Sequence, residues 1–323
     1  MDFDSIARFV AVVDNGSFAA AARILDITPQ ALATSIAKLE KSLGLILFDR
    51  ERGGITKPTE LGQTYLPHAR FIIAAERRAT AEVQARRDGR SGWVRFGIGE
   101  SVAGATVASA ISELRQEVPD ARIAIVEGYT QGLLERLDRG ELDLVAGAPD
   151  SERAKDRDLD QTFLYFTHDV IVARREHPLA GRAAVSLEDM QDYAWMLPYA
   201  RRDNYEALVN AYAVEGLKPP QDVLHCDSAT LRLELLATED ILLFISRDVF
   251  WPRLSDPTSP FVVVNAPVPT VERQACLMHR ADYPLNPLAT MLRDKIVERA
   301  KASGPGPEVA LQKPKRAKKA KTK

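Results

Sequence analysis

Residues 17–44 read SFAAAARILDITPQALATSIAKLEKSLG, and the fold of the first third of the chain turns on them. Ser17 is a preferred helix N-cap, and Phe18, Ala21, Ala22 and Leu25 follow at helical spacing as one buried stripe. Asp26-Ile27 makes a short turn. Thr28 then caps a second helix whose first position is Pro29, where the missing N–H costs nothing. Leu32, Ile36, Leu39 and Leu43 form its inner face, and Gly44 is a natural C-cap. Two helices joined by a turn this short, with the small run Ala19–Ala22 permitting close approach, make a helix-turn-helix.

Working outward, Ile6, Phe9, Val10 and Val13 predict a preceding helix stopped by Asn15-Gly16. After Gly44, the apolar run Leu45–Phe48, the polar glycine turn at 49–54 and Ile55–Pro58 predict a small hairpin of the winged type. Thr59 can cap a long helix reaching about Arg87. Pro67 inside it predicts a bend, since an interior proline costs about 3 kcal/mol or kinks the helix. Residues 86–92 read as a linker.

From Trp93 the pattern changes. Strand-like runs at 93–98, 121–126, 142–148, 169–174, 241–246, 261–265 and 275–279 alternate with helical runs at 103–117, 130–139, 204–214, 229–237 and 286–301. Such alternation predicts an α/β architecture with largely parallel sheets.

In a helix-turn-helix the second helix enters the major groove and presents its N-terminal polar residues to base edges. The outward positions here are Gln30, Ala33, Thr34 and Lys38. Gln30 can pair with adenine N6/N7, and Thr34 can hydrogen-bond or lay its methyl on thymine. Thr28 and the amides of the helix N-terminus suit a phosphate, and Arg50 and Arg52 on the wing can reach the minor groove or its phosphates. The bland alternative is an ordinary helical bundle whose polar residues are merely solvated.

These residues resemble the LysR-type transcriptional regulators. The resemblance rests on Ser17-Phe18-x-Ala20-Ala21-Ala22-x-x-Leu25, on Ile36-x-x-Leu39-Glu40-x-x-Leu43-Gly44, and on Leu47-Phe48-x-Arg50. Thr59-Glu60-x-Gly62, the run from Gly128 through Leu133, Leu137 and Gly140 to Leu142-Asp143-Leu144, and His177-Pro178-Leu179 extend it. It spans about residues 3–301. It implies an α+β multi-domain chain: an N-terminal winged helix-turn-helix, a linker helix that dimerises, and a two-lobed α/β effector domain of the periplasmic-binding-protein type II kind. The expected boundaries are 1–58 for the DNA-binding domain, 59–90 for the linker helix, 91–162 with 267–301 for lobe I, and 163–266 for lobe II. A disordered basic tail is expected at 302–323. The resemblance also implies double-stranded promoter DNA, a small-molecule effector and other copies of the chain as partners, in a dimer or tetramer. Two departures stand out. The family's usual serine and basic residue of the recognition helix are Ala33 and Thr34, shifting the expected phosphate contacts to Arg50, Arg52 and Lys38. Its usual Gly-x-Gly before a late strand is Thr238-Glu239-Asp240, so that turn must be built differently.

In such α/β folds ligands bind beyond the carboxyl ends of strands, at helix N-termini. The matching positions are Glu100 and Ser101, Thr130 and Gln131, Pro198 to Arg202, and Asp227 and Ser228. Arg201 and Arg202 suit a carboxylate, so an anionic effector is expected. Glu100 and Asp227 suit a hydroxyl or amine. Simple helix capping is the competing role for Ser101 and Ser228, and a solvated loop for the arginines.

Composition narrows the alternatives. Of 323 residues, 43 are Lys or Arg and 45 Asp or Glu, a net charge of −2. The total hides segments of +2 (1–90), −11 (91–312) and +7 (313–323). The last is either a solvated end or an added attraction to DNA. With two cysteines, Cys226 and Cys276, a disulfide framework is excluded, and a cytoplasmic setting without signal peptide or membrane span is expected. Gly97-Ile98-Gly99 fails as a dinucleotide fingerprint because position 102 is Val. The five histidines lack metal spacing, so no metal or cofactor is expected. A solute-binding protein or an enzyme on the same scaffold is the alternative. The winged helix argues against the first, and the lack of a catalytic constellation against the second.

Overall fold

A computed structural model describes residues 2–49, 56–87, 92–102, 104–149, 157–198, 202–254, 256–268 and 272–303. The wing tip with Arg50 and Arg52, the linker at 88–91, Arg201 and the basic tail from 304 lie outside the described residues.

The N-terminal helices end where their caps require. α1 (Phe3–Asn15) begins at Asp2, whose carboxylate accepts from the Ser5 N–H at 2.7 Å, and stops at Gly16 with φ 68°. α2 (Phe18–Ile24) and α3 (Pro29–Leu43) start at Ser17 and Thr28, whose hydroxyls accept from Ala20 and Ala31 N–H, each at 3.1 Å. α3 ends at Gly44, φ 69°, a left-handed conformation that glycine adopts without strain. Phe9, Val12, Leu32, Leu39 and Leu47 are buried in one core, each contributing about 1.5–3 kcal/mol of transfer free energy. Phe9 packs on Phe48 and Tyr65, with ring centroids 5.3 and 5.5 Å away. At the base of the expected hairpin Phe48 bridges Pro58 antiparallel, and the Asp49 N–H donates to the Lys57 carbonyl.

α4 (Glu60–Arg87) is capped by the Thr59 hydroxyl, which accepts from the Gly62 N–H at 3.0 Å. A Cβ on Gly62 would stand 2.2 Å from the Leu47 carbonyl oxygen, so this helix start lies against backbone and needs the glycine. The helix continues through Pro67 as one element.

The rest of the chain alternates strands and helices: β1 (Trp93–Gly99), α5 (Gly104–Glu117), β2 (Arg122–Gly128), α6 (Thr130–Asp138) and β3 (Leu144–Gly147). After β4 (Leu159–Arg174) come β5 (Ala194–Leu197), α7 (Arg202–Val214), β6 (Val223–His225), α8 (Ala229–Thr238) and β7 (Ile241–Ser246). α9 (Arg247–Leu254), β8 (Phe261–Val264), β9 (Glu272–Arg280) and α10 (Pro287–Ser303) complete it. The sheet order is β2-β1-β3-β9-β4-β7-β5-β6, with β8 on β4. This corrects the expectation of largely parallel sheets. β1/β2, β1/β3, β5/β6 and β5/β7 are parallel, but every pairing of β4 or β9 is antiparallel. The chain crosses between two half-sheets on β4 and returns on β9, and that return reverses direction. Each half has its own core: Phe96, Leu114, Leu144 and Ile296 in lobe I, and Trp195, Leu197, Tyr212 and Leu242 in lobe II. In lobe II the Tyr212 hydroxyl donates to the Leu187 carbonyl at 2.8 Å, and burial pushes its pKa up to about 12.

Candidate functional site

Two surfaces bring the expected residues together. On α3, Gln30, Ala33, Thr34 and Lys38 are all exposed, while Leu32, Ser35, Ile36 and Leu39 face inward. The Thr34 hydroxyl donates to the Gln30 carbonyl at 2.9 Å, which commits its donor to the helix backbone. A groove of about 760 Å3 runs between this row and the wing base, with Gln30, Ala33 and Thr34 on one side and Asp49 and Thr56 on the other. Residues beyond the expected set position the helix. Arg8 of α1 donates to the Ser35 hydroxyl at 3.0 Å, and that hydroxyl to Ser5 at 3.2 Å, a polar thread through the core between α1 and α3. Glu40 accepts from the Leu47 and Phe48 N–H groups at 2.7 and 3.3 Å, anchoring the wing to the recognition helix. A polar Ser35 inside an otherwise apolar stripe was the sequence signal for the first of these.

The second surface lies between the lobes. A cavity of about 270 Å3 opens between the end of β1 and the elements α8, β7 and α9. Glu100 and Pro198 line it, as expected, and so do Glu127, Asp169 and Arg232, which were not expected. Arg232 of α8 pairs with Glu100 across the cleft, with 9 % and 18 % of their side chains exposed. Beside them the Tyr129 hydroxyl donates to the Asp227 carbonyl at 3.5 Å. Burial, reinforced by the Glu100 charge, holds that phenol far above its ordinary pKa, so it remains a donor. Behind the cavity Arg273 of β9 donates to Asp169 at 2.5 Å, to Asp203 and, at 3.1 Å, to Asn204. Burial works against the Arg273 charge, but the Asp169 and Asp203 carboxylates outweigh it and raise its pKa.

The other expected cleft residues serve local structure. Ser101 is buried. The Thr130 hydroxyl accepts from the Ala148 N–H at 3.2 Å and fills the space left by Gly99 and Gly147. Gln131 reaches along its helix to Glu135 at 3.3 Å, and Ser228 caps α8 through the Leu231 N–H, also at 3.3 Å. Arg202 opens α7, with its side chain outside the described set. Where the family's glycines are missing, the Glu239 N–H closes α8 on the Leu235 carbonyl at 2.9 Å, and Asp240 pairs with Arg174 at 2.8 Å.

Among the described residues no cluster of three His, Cys, Asp or Glu is placed to hold a metal, and no helix is long and apolar enough to cross a membrane. Cys226 is half-buried and Cys276 buried, and burial pushes the Cys276 thiol up, away from reactive thiolate.

Residues 3–63 match the family model described as the bacterial regulatory helix-turn-helix protein, lysR family, and residues 87–301 match that of the LysR substrate binding domain. The regulator CbbR of Cereibacter sphaeroides is 30% identical over 307 residues, 93% of this chain and 96% of that protein. The regulator GbpR of Azospirillum brasilense is 30% identical over 262 residues, 78% and 75% of the two chains. In structure the chain is similar to CbnR complexed with its target DNA, TM-score 0.60 at 17% identity, covering 94% of this chain and 100% of that one.

Proposed function

This chain belongs to the LysR family of DNA-binding transcriptional regulators, and from that premise we propose how its own residues read DNA and sense an effector. The carrying observation is the exposed row Gln30, Ala33, Thr34 and Lys38 along α3, beside an open groove whose far wall is the wing base. Gln30 reads a base edge, Thr34 offers its methyl, and Thr28 with Lys38, Arg50 and Arg52 meets phosphates. The proposed division is 1–58 for DNA binding, 59–90 for the linker helix, 91–162 with 267–301 for lobe I, and 163–266 for lobe II. α4 pairs two copies, and pairs of dimers bind an inverted repeat. The chain acts in the cytoplasm as a regulator, and its relatives are regulators rather than enzymes or transport proteins.

The effector occupies the inter-lobe cavity. Glu100 and Pro198 line it; Asp227, Arg201 and Arg202 complete the proposed set, the two arginines as a carboxylate clamp. Ser101, Thr130, Gln131 and Ser228 belong to the same proposed set, the last three supporting the neighbouring helix starts through the local bonds they make. A gel shift on the DNA upstream of the protein's own coding sequence, with and without small carboxylates, tests the whole. The expected result is a specific complex whose affinity or footprint changes with one of them. No specific complex under either condition overturns the reading.

A further inference from the structure

Among the buried residues of α3, Leu32, Ser35, Ile36 and Leu39, only Ser35 is polar. Its hydroxyl belongs to a chain of hydrogen bonds that runs in one direction. The Arg8 guanidinium donates to Ser35 Oγ at 3.0 Å, Ser35 Oγ to Ser5 Oγ at 3.2 Å, and Ser5 Oγ to the Asp2 carboxylate at 2.7 Å. Each hydroxyl accepts once and donates once. The chain begins on a cation and ends on an anion, so neighbouring bonds polarise one another. Both serines are withdrawn from water. A buried polar group in an apolar seam stabilises less than apolar packing of the same volume, and its best-attested use is to set register. Apolar contacts are non-directional and would hold α3 on α1 at more than one rotation. Hydrogen bonds through Ser35 select one.

The rotation of α3 matters in this chain because few groups on its outer face remain to read bases. Ala33 has no polar side-chain atom, and the Thr34 hydroxyl is committed to the Gln30 carbonyl at 2.9 Å. The exposed Gln30 amide is the group that can make a bidentate pair with a base. Resting on the reading of this exposed row as the base-reading face, we propose that Ser35, with Arg8 and Ser5, is a positioning group for DNA recognition. The thread fixes the rotation of α3 on α1 and so aims Gln30 at a base edge. A bidentate amide–base pair is lost when the helix turns, whereas attraction to phosphates tolerates the turn. The thread contributes sequence preference rather than affinity or stability.

The test uses the full-length protein, the DNA upstream of its own coding sequence, and random-sequence DNA of equal length at the same salt concentration. Ser5→Ala/Ser35→Ala removes both hydroxyls. Arg8 is half-buried and Asp2 exposed, so each returns to water when the hydroxyls go. Arg8→Met removes the charged end of the thread and keeps the hydroxyl pair. The double variant is expected to lose about ten-fold or more of the wild-type preference for upstream over random DNA, the worth of one base contact. Its affinity for random DNA, carried by phosphates, should stay within about two-fold. Its urea midpoint should not fall, since both partners are replaced by apolar groups. Arg8→Met should lose part of the same preference. Added to Gln30→Ala, the double variant should cost no further preference, because the residue it aims is gone. Unchanged preference in both variants overturns the proposal. Equal losses on the two DNAs, or a full further loss on top of Gln30→Ala, also overturn it. A wild type without preference overturns the reading of α3 itself, and this inference with it.

Discussion

Arg78, in the last third of α4, places its guanidinium 3.1 Å from the Asp143 carboxylate and donates to the Gly140 carbonyl at 2.9 Å. Asp143 in turn accepts from the Arg95 N–H at 2.7 Å, so the linker helix is tied to the first strand of lobe I through one carboxylate. Around this link Phe71 meets Tyr283 edge-on at 5.8 Å and lies 4.0 Å beneath the Arg280 guanidinium.

Arg78→Ala should therefore lower stability by about 1.5–3 kcal/mol, the loss of its charged hydrogen bonds to Asp143 and the Gly140 carbonyl, while Asp143 keeps the Arg95 N–H. Arg78→Lys should recover only part, because an ammonium lacks the planar fork. Urea unfolding of the three proteins measures this. A loss under 1 kcal/mol for Arg78→Ala would show that the pair does not hold the helix to the lobe.

Gln30→Ala should relax preference at one base position, costing about 1–3 kcal/mol on the preferred site and little on random DNA. Competition binding against single-base variants of the operator checks it. Equal losses on specific and random DNA would remove Gln30 from the base readers.

Gly147→Ala should destabilise lobe I by about 1–3 kcal/mol, since its Cβ would stand 2.6 Å from the Thr130 hydroxyl oxygen. Thr130→Ala frees that space but leaves the Ala148 N–H without its 3.2 Å partner. The two substitutions should thus be less than additive in a double-mutant cycle, and simple additivity would mean the contact is not felt.

His177 is buried, and its Nδ1 accepts from the Leu179 N–H at 3.0 Å. Burial lowers its pKa. The unfolded chain then binds a proton that the folded chain resists, so this contribution is complete above about pH 6.5 and is lost as pH falls through the folded pKa. Stability of the wild type should decline on acidification below about pH 6.5, and His177→Asn, which retains an acceptor without a titrating ring, should flatten that slope. An unchanged slope would assign the decline to other groups.

Local features were legible because capping and periodicity are local. Ser17, Thr28, Thr59, Gly16 and Gly44 all mark helix ends where their side chains or φ angles suit the role. The crossing strand is legible only in its second half: 169–174 is largely apolar, but along 159–168 Asp160 and Gln161 are exposed together with Phe163 and Phe166 while Thr167 is buried, so polarity there does not track burial. β5 and β6 are four and three residues long, too short to show a period. In the cleft, Glu100 and Pro198 followed from strand ends. Arg232 did not, because its partner is 132 positions away and only the folded lobes bring the two together. Thr130 and Ser228 were correctly placed at helix starts, though their hydroxyls turn to backbone amides. No sequence rule says which way a cap near a cleft will face.

β4 is a single strand of 16 residues, pairing with β9 as far as His168 and with β7 from Asp169 onward, with a register shift between Phe163 and Tyr165. Both lobes are thus hydrogen-bonded to one unbroken rod. Drawing them apart would break ladder bonds, whereas winding one about the rod only adjusts strand twist, and the shifted register supplies slack for it. A change in the cleft should therefore reach α4 as torque on lobe I rather than as a hinge-like gape. The DNA-binding domain would be re-aimed in angle with little change in its distance from lobe I.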